Sequence, residues 1–166
     1  VEVFLLPPAL HYLRETYLSL QVGVTTGNTV DIVRAVEENR LDLGLVTLPV
    51  SSRQLVVNRC REEEFVFICR AGEGTMPFTP DSLHACPLIA FEEGSGTRLL
   101  IDSWFSASGL AISPMMESGS IEAIKRLVRA GLGVSIVPQM AVESAFDREG
   151  LEVHSLIPVL HRQLAF

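Results

Sequence analysis

The sequence predicts an α/β fold in which two βα blocks face each other across a cleft. Three observations carry this expectation. Short β-branched runs alternate with apolar stripes at helical spacing along the chain. Small hydroxyl-bearing residues recur where an expected strand meets an expected helix. The last segment reads as a strand whose partner lies back toward the first block.

The first block opens with Leu5, Leu6, Ala9, Leu10, Leu13 and Tyr17 on one stripe. A helix is expected over Leu5–Tyr17, with Pro7 and Pro8 in its first turn, where a missing N–H costs little. Leu20–Thr26 reads as a strand. Gly27-Asn28 breaks it, and Asn28 or Thr29 caps a helix that carries Ile32, Val33 and Val36, with Asp31 near its positive end. Leu41–Thr47 reads as a buried strand. Strand, helix and strand with short turns predict a parallel βαβ unit.

Gln54–Cys60 and Glu64–Arg70 read as two strands joined by a charged turn, Arg61–Glu63. A Gly/Pro-rich loop, Ala71–Pro80, and a helical turn at Asp81-Ser82-Leu83 follow. Leu88–Phe91 is a brief strand. Leu100, Ile101, Trp104 and Phe105 form the stripe of a helix that Gly109 stops. Pro114–Ser118 is a strand, and Ser118-Gly119-Ser120 caps a helix with Ile121, Ile124, Leu127 and Val128, ended by Gly131. Gly133–Pro138 is a strand. A short helix near Gln139–Asp147 and a strand near Leu151–His154 precede the final segment, His161–Phe166.

Composition narrows the function. Of 166 residues 48% are hydrophobic and 20% charged, too apolar for a disordered chain. Apolar runs such as Phe65–Cys69 fall far short of the roughly 20 residues that span a bilayer. No basic segment followed by an apolar one opens the chain, so no secretory leader is read there. Net charge is −7, from 13 basic and 20 acidic residues, with Lys125 the sole lysine. Such a chain is a poor ligand for phosphate backbones, which need clustered basic residues. Cys60, Cys69 and Cys86 leave one cysteine over in any disulfide scheme, and none forms a Cys-x-x-Cys pair. Reduced thiols in a cytoplasmic protein are the expectation.

Gly94-Ser95-Gly96-Thr97-Arg98 is the most informative stretch. At a strand-to-helix turn the first helical N–H groups point out unpaired, and the helix dipole adds positive charge. Hydroxyls of Ser95 and Thr97 and the charge of Arg98 suit a carboxylate, sulfate or phosphate. A plain helix cap is the competing reading. The stretch is neither a nucleophile elbow, since position 93 is Glu, nor a phosphate loop. Thr25–Thr29 and Ser118–Ser120 are similar turns. Gly131-Leu132-Gly133 follows a helix and reads as a turn. His11, His84, His154 and His161 are scattered, none at a metal-ligand spacing, and Cys86 near His84 is a weak signal. Hydroxyls and backbone donors without a base describe a binder rather than an enzyme, with no metal or cofactor expected.

Leu5–Val46, including Asn39-Arg40-Leu41-Asp42-Leu43-Gly44-Leu45, resembles the opening of the effector-binding domain of LysR-type transcriptional regulators. Asn39 stands where that family usually has Gly. Ser120–Val142 resembles the family's later marker, a helix followed by Gly-x-Gly and a closing Pro, and Phe91–Leu110 fits its second lobe.

The resemblance implies a two-lobed periplasmic-binding-protein type II fold, with lobes joined by crossover strands and the chain truncated at both ends. Lobe I would span 1–65 without its first strand, lobe II 66–158, and a return strand 159–166. A small, anionic effector is implied in the cleft. Carried over by position, its contacts would be Gly27, Asn28, Thr29 and Thr47, then Ser95, Gly96, Thr97, Arg98, Ser118, Ser120, Val137 and Pro138. DNA would be touched only by a winged helix-turn-helix absent from this chain. Homodimers or tetramers would form through the Leu5–Tyr17 and Ile121–Ala130 helices, with no membrane partner. A transport solute-binding protein and a small enzyme on the same scaffold are the rival readings.

Overall fold

Residues 2–74 and 77–166 are described in this computed structural model. They fold in the order α1 (Glu2–Thr16), α2 (Thr29–Glu37), β1 (Val46–Thr47), β2 (Arg59–Arg70), α3 (Pro80–His84), β3 (Ile89–Phe91), α4 (Gly96–Ser106), β4 (Met116–Ser118), α5 (Ile121–Arg129), β5 (Ser135–Pro138), a 3-10 turn (Gln139–Val142), α6 (Ala145–Arg148) and β6 (Leu151–Ala165). Val1, and residues 75 and 76 of the loop expected over Ala71–Pro80, lie outside the described residues.

β2 and β6 form one long antiparallel ladder and the spine of the molecule. Its register shifts between Phe65 and Val66, where β6 passes from Leu160 to Ser155. Pro158 lies in this bulge and has no N–H to give a ladder. Its carbonyl instead accepts the Trp104 indole N–H at 2.8 Å, tying α4 to the spine. β1 adds to the outer edge of β6 and β5 to that of β2, both antiparallel.

Beyond the bulge, β3, α4 and β4 make a parallel βαβ unit. A parallel bridge, Leu88 to Val134, brings β3 beside β5. The main core lies here. Phe65, Ile68, Ile89, Ile101, Phe105, Ile124, Val128, Ile136 and Leu156 are buried, and each contributes about 1.5–3 kcal/mol by leaving water.

The second block largely follows its expected elements, whereas the first differs in several places. Leu20–Thr26 forms no strand, because no hydrogen-bonded neighbour lies beside it among the described residues. Only Val46–Thr47 of the expected strand Leu41–Thr47 pairs, and it is half-buried. It runs antiparallel to β6, so the expected parallel βαβ unit of the first block is not formed. α1 starts at Glu2, ahead of Leu5, so Pro7 and Pro8 fall beyond its first turn and each removes an intrahelical bond.

Gln54–Cys60 and Glu64–Arg70 are not a hairpin. Arg61–Glu63 continues one strand, because each of these residues has a ladder partner on β6. Leu151–His154 and His161–Ala165 likewise belong to a single strand.

Candidate functional site: the cleft across the spine

A cleft of about 780 Å³ opens between the α1–α2–β1 end and the β3–β5 end of the spine. Its lining combines apolar side chains, Leu6, Leu10 and Leu13 of α1 among them, with polar ones. Thr25, Thr26, Gly27 and Thr29 come from the turn before α2, and Thr47 from β1. Thr97 at the start of α4, with Gly119, Ser120 and Glu122 at the start of α5, face them, beside Pro138 and Met140. Thr29, Thr47 and Thr97 make no side-chain hydrogen bond within the described protein, which leaves their hydroxyls for a guest.

The remaining expected contacts have other work. Asn28, Ser95 and Ser120 are N-caps: each accepts the N–H three residues on, from Asp31, Arg98 and Ala123 at 2.8, 3.2 and 3.3 Å. Helices begin at these residues because their side chains satisfy donors the helix cannot. Ser118 accepts the Ser120 N–H at 3.2 Å. Val137 is core. Of these, only Ser120 also lines the cleft; Asn28, Ser95, Gly96, Ser118 and Val137 do not.

The Arg98 guanidinium, which the sequence expects to present to an anion, turns inward and is 7% exposed. Nε donates to Asp102 at 2.9 Å, and Nη1 donates to Glu117 at 2.6 Å and to the Phe91 carbonyl at 3.1 Å. Burial alone would lower its affinity for the proton, but its hydrogen bonds to Glu117 and Asp102 more than offset this, so its pKa is raised. Two carboxylates on one guanidinium leave it no surplus charge for a ligand. Arg98 joins β3, α4 and β4.

The cleft's cation is Arg162, which the sequence did not single out. Among the described residues it is the only basic side chain lining the cleft. It stands opposite Glu63 across the β2–β6 ladder and donates Nε to Glu63 Oε2 at 2.6 Å. Its guanidinium lies over the Phe65 ring, 5.2 Å from the centroid, a cation–π contact. Nη2 pairs with the same carboxylate, whereas the buried Glu63 Oε1 has no hydrogen-bond partner among the described residues. The available signal was a lone Arg inside the apolar alternation of the last strand.

No His, Cys or Asp among the described residues lines the cleft, and Glu122 is the one carboxylate among them that does. No helix among them is long and apolar enough to cross a membrane.

Two lobes of mixed α/β structure, joined by paired crossover strands with a hydroxyl-lined cleft between, define a ligand-binding module of the type II periplasmic-binding-protein fold. The chain belongs to the LysR substrate binding domain family, whose model matches residues 1–166.

It is 32% identical to the uncharacterized HTH-type transcriptional regulator YeiE of Escherichia coli K12, over 97% of this chain and 56% of that protein. The chain thus spans about half the length of the curated relatives it matches. Among solved structures, a full-length OxyR variant from Pseudomonas aeruginosa superposes with a TM-score of 0.84 at 21% identity, covering 99% of this chain and 59% of that one. The CcmR regulatory domain of Synechocystis PCC6803, in complex with 2-PG, gives 0.77 at 22% identity, covering 99% of this chain and 82% of that one.

Proposed function

We propose that this chain is the effector-sensing domain of a cytoplasmic LysR-type transcription regulator, and that its cleft takes a small anion whose acid group meets Arg162. The observation that carries the reading is Arg162 itself, a buried guanidinium and, among the described residues, the only basic group lining the cleft. An oxyanion would share this guanidinium with Glu63, while Thr29, Thr47, Thr97 and Ser120 surround the rest of the guest. The complex of the CcmR domain with 2-PG supports a small-molecule guest in this fold.

Arg162 sits on the spine near its register shift. We place the division between lobes there, with 1–65, 66–158 and 159–166 as first lobe, second lobe and return strand. A guest bridging both walls then favours the closed arrangement by its differential affinity for it. In the whole regulator, DNA contact falls to a separate winged helix-turn-helix, and copies pair through α1 and α5. That pairing turns a change in lobe angle into a change in DNA geometry.

The test is calorimetric titration with sulfate, phosphate and 2-PG. At least one should bind saturably, and Arg162→Met should weaken it by about 1.5–3 kcal/mol, the value of a charged hydrogen bond. Affinity unchanged in a folded Arg162→Met variant overturns the anion assignment. Turnover of the bound compound would favour an enzyme instead.

A further inference from the structure

A second cluster of chemistry lies at the far end of the spine, away from the cleft. Cys69 stands opposite Glu152 in the β2–β6 ladder, and Phe67 opposite His154. Side chains alternate between faces along a strand, so all four project from the same face. The Cys69 sulfur, a Glu152 oxygen and a His154 nitrogen all lie within 4.8 Å of one another.

Each donor is held in place. Cys69 is buried. Glu152 accepts the Gly72 N–H at 2.6 Å on one oxygen and the Gly74 N–H at 3.0 Å on the other. The His154 ring stacks on Phe78, with centroids 4.2 Å apart, and its Nε2 is 3.4 Å from Glu152 Oε2. Backbone donors that orient a carboxylate, and a packed ring that orients an imidazole, are the outer supports metal ligands have. Beside the cluster is a cavity of about 220 Å³, lined in part by Cys69, Glu73 and Cys86.

We infer that Cys69, Glu152 and His154 form a binding site for a zinc-like divalent cation, with the adjoining cavity supplying room for its remaining ligand. The donor set decides the class. One sulfur, one imidazole nitrogen and one carboxylate oxygen suit zinc in tetrahedral geometry, whereas magnesium and calcium take oxygen donors. A redox role for Cys69 is disfavoured, because burial, with the charges of Glu152 and Glu73, pushes its thiol up to about 11 and keeps it a poor nucleophile. A cation reverses that field, and the thiol proton passes to solvent as the metal–sulfur bond forms. The site draws β2, β6 and the turn at Gly72–Gly74 together and is separate from the anion cleft.

The test uses the chain with Cys60→Ser, which removes the exposed thiol. Titration with Co²⁺ alone should give a thiolate-to-cobalt charge-transfer band and the d–d bands of a tetrahedral ion, and Zn²⁺ should displace both. The band should vanish in Cys69→Ser. His154→Ala should weaken Co²⁺ binding about tenfold or more, as should Glu152→Gln, with circular dichroism showing each variant folded. A missing thiolate band, or one that survives Cys69→Ser, overturns the site. So does tight binding indifferent to His154→Ala and Glu152→Gln. Cys69→Ala, which keeps the side chain small and apolar, replaces the serine variant should the latter not fold.

Discussion

The Lys125 ammonium, on a fully buried side chain, donates to Asp147 at 2.7 Å. It also donates to the Ala141 carbonyl at 2.8 Å and pairs with Glu122 at 2.8 Å. The sole lysine thus ties α5 to the 3-10 turn and α6, and its charge is tolerable only because its partners surround it. Removing one partner leaves an undercompensated charge in the core. Asp147→Ala should therefore cost about 3 kcal/mol in urea unfolding. Lys125→Met, which removes the charge and keeps the volume, should cost much less. Equal losses would show that packing, not charge, sets the balance.

The same pair sets an acid limit. Hydrogen bonds from Lys125, then Ser144, lower the Asp147 pKa from its ordinary 3.8. A carboxylate with a depressed folded value contributes stability that is complete above its unfolded value and is lost as pH falls through the folded one. The stability gap between the native chain and Asp147→Asn should therefore be constant near neutrality and shrink below roughly pH 4. Unfolding midpoints taken from pH 7 downward measure it, and a gap unchanged in acid would remove Asp147 from the acid response.

Arg98 separates bracing from binding. Arg98→Ala strips Asp102, Glu117 and the Phe91 carbonyl of their shared donor. The expected cost is about 2–3 kcal/mol of stability, moderated because the two carboxylates can reach water. Anion affinity at a temperature where the variant is folded should stay within about twofold, since the lost contacts lie outside the cleft. A large affinity loss with native stability would return Arg98 to the ligand.

What the sequence made legible follows from how far each signal reaches. α5 needed only a local stripe and cap, and Ser120 and Ser95 are visible as caps because their partners sit three residues away, whereas the single short helix expected near Gln139–Asp147 divides into a 3-10 turn and α6. β2 was misread because Arg61, Glu62 and Glu63 look like a turn. Their place in a strand depends on Gln163, Arg162 and the rest of β6, about a hundred residues distant. Leu20–Thr26 has a strand's pattern, but pattern alone supplies no hydrogen-bonding neighbour. The inward turn of Arg98 and the place of Arg162 on the cleft wall were hidden for the same reason. Next to glycine and hydroxyls, Arg98 resembles an anion contact, and only the fold reveals Asp102 and Glu117 around it. Thr29 and Thr97 lie at turns whose chemistry is local, whereas Thr47, on β1, was reached only through the family resemblance.

The helix face of α5 can be tested at single positions. Ile124 and Val128 are fully buried, whereas Leu127 is only half-buried against the core. A charge at Val128 should unfold the β3–β5 end, because an ionised carboxylate there has no partner. Leu127→Asp should cost markedly less and leave a folded chain. If α5 also pairs copies of the chain, Leu127→Asp should lower the sedimentation-derived mass without loss of helicity. Helicity lost equally in both variants would place Leu127 in the core.

Gly133 and Gly96 should respond oppositely to the same added methyl group. A Cβ at Gly133 would collide with the Pro87 carbonyl and crowd the Ile89 side chain at 3.1 Å. That carbonyl is fixed, because it accepts the Val134 N–H at 3.0 Å while Ile89 donates to the Val134 carbonyl at 2.8 Å. The backbone cannot retreat without opening the bridge between β3 and β5, so Gly133→Ala should cost about 1–3 kcal/mol. At Gly96 nothing lies within 4 Å of the added atom. Gly96→Ala restrains the unfolded chain at the first residue of α4 and should be neutral or stabilising by up to about 1 kcal/mol. Its anion affinity should also be unchanged, because Gly96 does not line the cleft. Thermal unfolding and titration of the two variants side by side decide both points. A destabilised Gly96→Ala would mean that the start of α4 is packed more closely than the open space there allows.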